Sequence, residues 1–229
     1  MDRVFVLLGG VLYTGAIVLA ALAIVLFSSS LHSAFLTPQQ AETDRAITGY
    51  LLNLGELPFM TPNEASHMED VKWLATTLLY ALAGLIALLT FFFAHAHPPE
   101  RTAMLMTPLL VLLLLQIPLV RLFQNFTVGF EKFHQVFFPQ GNYSFPSNSV
   151  LISTYNESFF ASMAVMIILL LVLFFVFGLL LSLLSQIRRY TAQIAKAAKK
   201  FYPQYHFKEL SQKQKEIEAL ILKGILKKH

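Results

Sequence analysis

The sequence predicts an all-α membrane protein, with four transmembrane helices capped by a small extracytoplasmic domain that includes one or two short β-strands. Three observations predict it: a shortage of charge, four long uncharged runs, and a lopsided placement of the basic residues. Of the 229 residues, 56% are hydrophobic and 13% charged, whereas a soluble domain carries about a quarter charged residues. The runs are 4–27, 73–94, 103–120 and 161–187, and a helix needs roughly 20 apolar residues to cross the hydrocarbon. None alternates with period two, so helices rather than barrel strands satisfy the backbone in lipid.

The first run (domain 1–27) is much longer than a signal-peptide core and no small-x-small site follows it, so it reads as an uncleaved anchor. The second (73–94) is charge-free. The third (103–120) is short and holds Pro108 and Pro118, which predict a kink or a change of tilt. The fourth is 161–187. Orientation follows from the basic residues beside the span ends. The tail, 188–229, carries eleven of the seventeen Lys and Arg against three acids. The link 95–102 adds Arg101, and Arg3 precedes the first span. Segments 28–72 and 121–160 instead hold eight acids and four basic residues. Both termini are therefore expected in the cytoplasm, with 28–72 and 121–160 outside.

Within 28–72, Thr61-Pro62-Asn63-Glu64 is a capping box with proline at the first helical position. The helix it starts is expected to run through His67 and Asp70 into the second span, and 45–53 is expected to be a short helix. In the second external segment Phe126, Phe130, Phe133 and Phe137 recur at helical spacing, an aromatic face suited to the membrane interface. Pro139-Gln140-Gly141-Asn142 breaks that helix, and 143–155 is the stretch expected to hold strands. In the tail, Leu210, Ile217, Ile221 and Ile225 share one face with lysines opposite, a basic amphipathic helix for an anionic leaflet.

Several chemistries are excluded. With no cysteine there is no disulfide, thiolate nucleophile or thiolate metal ligand. His67-Met68-Glu69 lacks the second histidine of a helical zinc site, so no metal is expected. No Gly-rich phosphate loop and no nucleic-acid motif is present, and Gly9-Gly10 reads as a helix-packing pair. Gln116 is the one strong polar side chain well inside a run, which suits a helix–helix hydrogen bond and argues against a transport path.

Histidines on the outer side carry the remaining possibility. Glu64 and Asp70 lie three residues either side of His67, so a carboxylate can flank its ring and fix its tautomer. His134 follows Glu131 and Phe130 by about one turn on the Phe-rich helix. Both rings could converge beside lipid headgroups. A lone interfacial histidine is otherwise only an amphipathic side chain, as His95 and His97 beside the prolines are expected to be, and Asp70 and Lys72 also mark where a span leaves water.

Two stretches carry a resemblance. Glu64-Ala65-Ser66-His67-Met68-Glu69-Asp70-Val71-Lys72 and Phe130-Glu131-Lys132-Phe133-His134-Gln135-Val136-Phe137-Phe138 resemble the signatures of the lipoprotein intramolecular transacylases, small four-span proteins of Gram-positive bacteria. The acidic, aromatic approach to the last span at 149–160 is also similar. Where members often carry a tryptophan after the second motif, this chain has Tyr143-Ser144-Phe145, which keeps an aromatic. The resemblance implies an intramolecular acyltransferase at the outer leaflet, with a diacylglyceryl-modified lipoprotein as substrate. The sn-2 acyl chain would move to the α-amine of the same N-terminal cysteine, leaving an N-acyl lyso-form. It implies His67 as general base, oriented by Asp70 or Glu64, with His134 as the second catalytic group and Lys72 and Glu131 in support. Phe126, Phe130, Phe133, Phe137 and Tyr143 would hold lipid. No cofactor is implied, the partners are lipoproteins and membrane lipid with no nucleic acid, and the chain is expected as a monomer. The rival expectation is a membrane scaffold or assembly factor with a protein-binding outer face, which would leave the two histidines apart.

Overall fold

The computed structural model describes residues 3–58, 60–97, 99–109, 111, 126–201 and 212–220. Helices in chain order are α1 (Arg3–Phe27), α2 (Ser29–His32), α3 (Pro38–Leu51), α4 (Pro62–His95), α5 (residues 99–109), α6 (Phe126–Phe137), α7 (Val150–Thr154), α8 (Glu157–Phe201) and α9 (residues 212–220). No strand occurs among the described residues. Three of these helices are long and apolar enough to cross a membrane: Arg3–Phe27, Pro62–His95 and Glu157–Ala198. Of the third expected span, 103–109 and 111 are helical, and the rest, with Gln116 and Pro118, lies outside the described residues. So do Leu210, Ile221 and Ile225 of the amphipathic tail.

The spans cohere by close backbone approach as well as by apolar packing. A Cβ built on Gly9 would stand 2.7 Å from the Met104 side chain, and one on Gly10 only 2.0 Å from Thr107 Oγ1. The glycine pair therefore lets α5 sit directly on α1, as expected of a packing pair, and Met104 is fully buried there. Further along α1, Ile17 and Ala21 pack with Leu171 of α8. Outward-facing residues such as Leu7, Ile86, Phe91, Leu173 and Phe177 are about half exposed, which is natural only where the surroundings are lipid.

Helix α4 begins as expected. The Thr61 side chain accepts from the Glu64 N–H, the Glu64 carboxylate accepts from the Thr61 N–H, and Pro62 opens the first turn. At its far end the His95 Nδ1–H adds a second donor to the Phe91 carbonyl at 2.8 Å, the Ala96 N–H closes the backbone ladder on the Phe92 carbonyl, and Pro98 disfavours helix at His97. At about 1.5 Å per residue this helix is longer than the hydrocarbon is thick. Its charged first turns, through Lys72, therefore stand beyond the uncharged part that begins at Trp73. The short helix expected at 45–53 is instead the longer α3, because Thr37-Pro38-Gln39-Gln40 forms a second capping box.

The strands expected in 143–155 are replaced by turns and α7. Ser149 caps that helix by accepting from the Ile152 N–H, and the Leu151 N–H donates to Glu64 Oε1 at 3.0 Å. The local β-formers are overruled by two side-chain acceptors that favour a helical turn. Leu151 then joins Ile47, Leu51 and Met68 in an apolar cluster uniting α3, α4 and α7. Burial of each such side chain contributes about 1.5–3 kcal/mol.

A buried ion pair fastens α2 to α3. His32 Nδ1–H donates to Asp44 Oδ1 at 2.7 Å, and Nε2–H donates to the Val25 carbonyl. Both partners are acceptors only, so the ring is the doubly protonated imidazolium. Tyr155 O–H donates to the same carboxylate oxygen at 2.8 Å, tying in the segment just before α8.

The chain divides into two units, Met1–Gly178 and Leu179–His229. His67, His134 and the side chains that surround them all belong to the first. In the second, Thr191 and Glu218 are linked by a 3.3 Å hydrogen bond.

Candidate functional site

His67 sits on the second turn of α4 and is 7% exposed. Its ring lies 4.6 Å from that of Phe138, 5.5 Å from Phe145 and 6.1 Å from His134, centroid to centroid. His134 is on the last turn of α6, surrounded by Phe130 at 4.2 Å, Tyr143 at 5.2 Å, Phe133 at 5.5 Å and Phe138 at 5.6 Å. The structure thus brings the two histidines together in an aromatic enclosure. Phe138, 3% exposed, touches both rings. It belongs to the second motif but was not expected among the site residues.

Local chain geometry explains the convergence. α6 closes with the Phe138 N–H donating to the His134 carbonyl at 2.7 Å. Pro139 cannot continue the ladder, and Gly141 at φ +78° reverses the chain. The turn returns Asn142 to α4. Asn142 Nδ2 donates to Asp70 Oδ2 at 2.7 Å and to Ser66 Oγ at 3.3 Å, and Gln140 also donates to that carboxylate oxygen. At its start α6 is tied to α8, where Thr127 Oγ1 donates to Glu157 Oε1 at 2.6 Å.

Electrostatics favour neutral rings. Burial holds the His67 pKa below the usual histidine value, the proximity of His134 lowers it further, and Asn142 and Asp70 oppose the change. Burial likewise lowers His134, against the hydrogen bond to the Phe130 carbonyl. That bond, 2.8 Å from His134 Nδ1, places the single proton of the neutral ring on Nδ1 and leaves a lone pair on Nε2.

The other expected site residues divide. Asp70 faces the site through Asn142. Glu64, expected beside the His67 ring, turns away: it is 1% exposed, completes the capping box and accepts from Leu151. It orders the helix start rather than the imidazole. Lys72 places its Nζ 4.0 Å over the Tyr50 ring of α3, and Glu131 accepts from Gln135 on the surface. Phe133 and Phe137 lie 4.6 Å apart with their rings tilted and are about half exposed, as an interfacial face requires. Phe130 contacts His134 and packs on Phe160 at 4.8 Å. The Phe126 side chain lies outside the described residues. Asn142 and Gln140 were not expected to take part, since the pairing joins positions far apart in sequence. Among the described residues no group of three potential ligands could hold a metal ion.

Fold and site define a membrane-integral helical protein with two facing histidines beside the ends of its spans. The chain belongs to the lipoprotein intramolecular transacylase family, Lit, whose model matches residues 45–160, just over half of the chain and inclusive of both histidines. Its fold is similar to the structure of the membrane-integral lipoprotein intramolecular transacylase Lit from Bacillus cereus. The TM-score is 0.69 at 18% identity, covering 83% of this chain and 98% of that one. A mutant of the same Bacillus cereus protein, in which a histidine is replaced by arginine, gives 0.68 at 17% identity, covering 84% and 95%. A comparison with curated protein sequences gives no match.

Proposed function

We propose that the protein transfers the sn-2 acyl chain of a diacylglyceryl-modified lipoprotein cysteine to the α-amine of that same cysteine, at the outer face of the plasma membrane. The observation that carries this reading is the meeting of His67 and His134, 6.1 Å apart, in a chain of this family. The excess of basic residues in the tail and of acids in 28–72 and 121–160 supports placing both termini inside and the histidines outside.

The proton count suits two imidazoles. Turning an ammonium into a secondary amide removes two protons from nitrogen, and the departing glycerol sn-2 oxygen takes up one. His67 acts as general base on the attacking amine. His134, whose Nε2 carries a lone pair at rest, accepts the other proton and thereby becomes the donor for the oxyanion or the sn-2 oxygen. Amine and ester belong to one molecule, so holding the lipid against its own amine supplies much of the rate. Phe133 and Phe137 set the depth of the acyl chains.

Support for an enzyme over a scaffold comes from the same pair, because a scaffold has no use for two neutral, adjacent imidazoles, His67 buried and His134 half-buried. The test is mass spectrometry of a lipoprotein N-terminus from cells with the wild-type chain and with His134→Ala. The wild type yields the N-acyl lyso-form and the variant does not. Undiminished product from His134→Ala overturns its role.

A further inference from the structure

The two polar atoms left without a partner beside the catalytic pair belong together. His67 Nδ1 and Asn142 Oδ1 are both buried and neither makes a hydrogen bond of ordinary geometry. The orientation of the Asn142 amide is dictated, since Asp70 Oδ2 can only accept and therefore faces Nδ2, at 2.7 Å. Ser66 Oγ and the Gln140 side chain secure the same arrangement. That leaves Oδ1 as an acceptor in need of a donor, and an unpaired buried polar atom costs about 1–3 kcal/mol. A His67 Nδ1–H satisfies both atoms at once. An Nδ1 lone pair satisfies neither.

We propose that Asn142, oriented by Asp70, is a positioning residue that keeps His67 in the Nδ1–H tautomer, leaving the lone pair on Nε2 for the substrate amine. Asn142 does not touch the substrate; it acts through the ring. The inference deepens the proposed function and rests on His67 being the base. Asn142 acts on His67 as a hydrogen-bonding partner in the sense that favours a proton on the ring, as an acceptor for Nδ1–H must. The titratable groups facing His67 are Asp70 on its own helix and His134 from α6.

The test uses the full-length protein in lipid nanodiscs with histidine imidazoles labelled with ¹⁵N. In the wild type the His67 signals are those of one Nδ1–H tautomer. In Asn142→Ala and in Asp70→Asn they become those of a mixture. Transacylation of a diacylglyceryl lipopeptide is then followed against pH. General base catalysis is worth ~10²–10⁴-fold, so partial loss of the correct tautomer lowers kcat about ten-fold. The acid limb moves to lower pH in Asn142→Ala, which loses the acceptor, and to higher pH in Asn142→Asp, which adds negative charge beside the ring. Opposite shifts are not what a merely structural residue gives. A single Nδ1–H tautomer persisting in Asn142→Ala overturns the inference, as does an unmoved acid limb in both Asn142 variants. If His67→Ala retains full activity, the assignment of the base fails instead, and the tautomer measurement still decides what Asn142 does to the ring.

Discussion

The rings of His67 and His134, carried by α4 and α6, lie 6.1 Å apart and within 26° of parallel. At that separation two imidazolium charges repel, and each ring is also partly withdrawn from water. Both effects lower the His67 pKa, and burial lowers that of His134. The sign for catalysis follows. The base is active when neutral, so activity holds through the ordinary histidine range and is lost as the pH falls through the depressed pKa, below 6.5. A pH–rate profile of the purified enzyme checks this, and an acid limb above pH 6.5 contradicts it. In a His134→Gln variant, which loses the repelling charge, the residual activity has its acid limb at higher pH.

Glu64 separates a structural role from a catalytic one. Its carboxylate closes the capping box and accepts from the buried Leu151 N–H. Glu64→Ala loses the cap and orphans that N–H, at a cost of about 2–4 kcal/mol. Thermal unfolding in detergent is therefore expected at a clearly lower Tm, while the enzyme that remains folded keeps its acid limb. A shifted limb at unchanged Tm would return Glu64 to the His67 ring.

How much of this was legible depends on the range of each interaction. The start of α4 is readable because threonine, proline and glutamate act within one turn. The same signal at Thr37-Pro38-Gln39-Gln40 is equally local, but α3 lacks a strong apolar run and was expected only from residue 45. Spacing alone placed Glu64 and Asp70 either side of His67. It cannot say which way each side chain reaches, and the open N–H groups of the helix start claim Glu64. The strands expected in 143–155 follow from propensity, which the Ser149 cap and a carboxylate from another helix override. The pairing of Asn142 with Asp70 spans α5 and α6 and has no local signature. Only the Pro139-Gln140-Gly141-Asn142 breaker marked where the chain leaves α6.

The His32–Asp44 pair predicts a pH window of stability. Burial opposes the charged His32 ring, yet its bond to Asp44, the charge of Asp44 and the Val25 carbonyl outweigh it, and the pKa is raised above 6.5. Burial also opposes the Asp44 carboxylate, but the His32 and Tyr155 hydrogen bonds and the His32 charge prevail and hold its pKa below 3.8. The His32 contribution is full below pH 6.5 and is lost as pH rises through the raised value. The Asp44 contribution is full above 3.8 and is lost as pH falls through the depressed one. Removing one member of a buried pair costs about 3–5 kcal/mol. His32→Ala is thus expected to unfold at lower temperature at pH 6 and to lose the fall in Tm that the wild type shows under alkaline conditions. Equal Tm at pH 6 would contradict this.

Gly10 tests the packing of α5 on α1. In Gly10→Ala the new Cβ meets Thr107 Oγ1 at 2.0 Å and Thr107 Cβ at 2.6 Å, and overpacking of this kind costs about 1–3 kcal/mol. Thr107→Ala in the same chain removes the Oγ1 and Cγ2 contacts but keeps Cβ, so Tm recovers in part. A Gly10→Ala protein as stable as the wild type contradicts the close approach.

The central claim is that His67 is the base of an intramolecular acyl transfer, and N-terminal lipopeptide mass spectrometry tests it most directly. A lipoprotein produced with the wild-type chain is expected to carry an N-acylated cysteine on a lyso-glyceryl thioether. With His67→Ala, present in the membrane in equal amount, the same lipoprotein is expected to keep its diacylglyceryl group and a free α-amine. Full conversion to the N-acyl lyso-form by the His67→Ala protein would contradict the account.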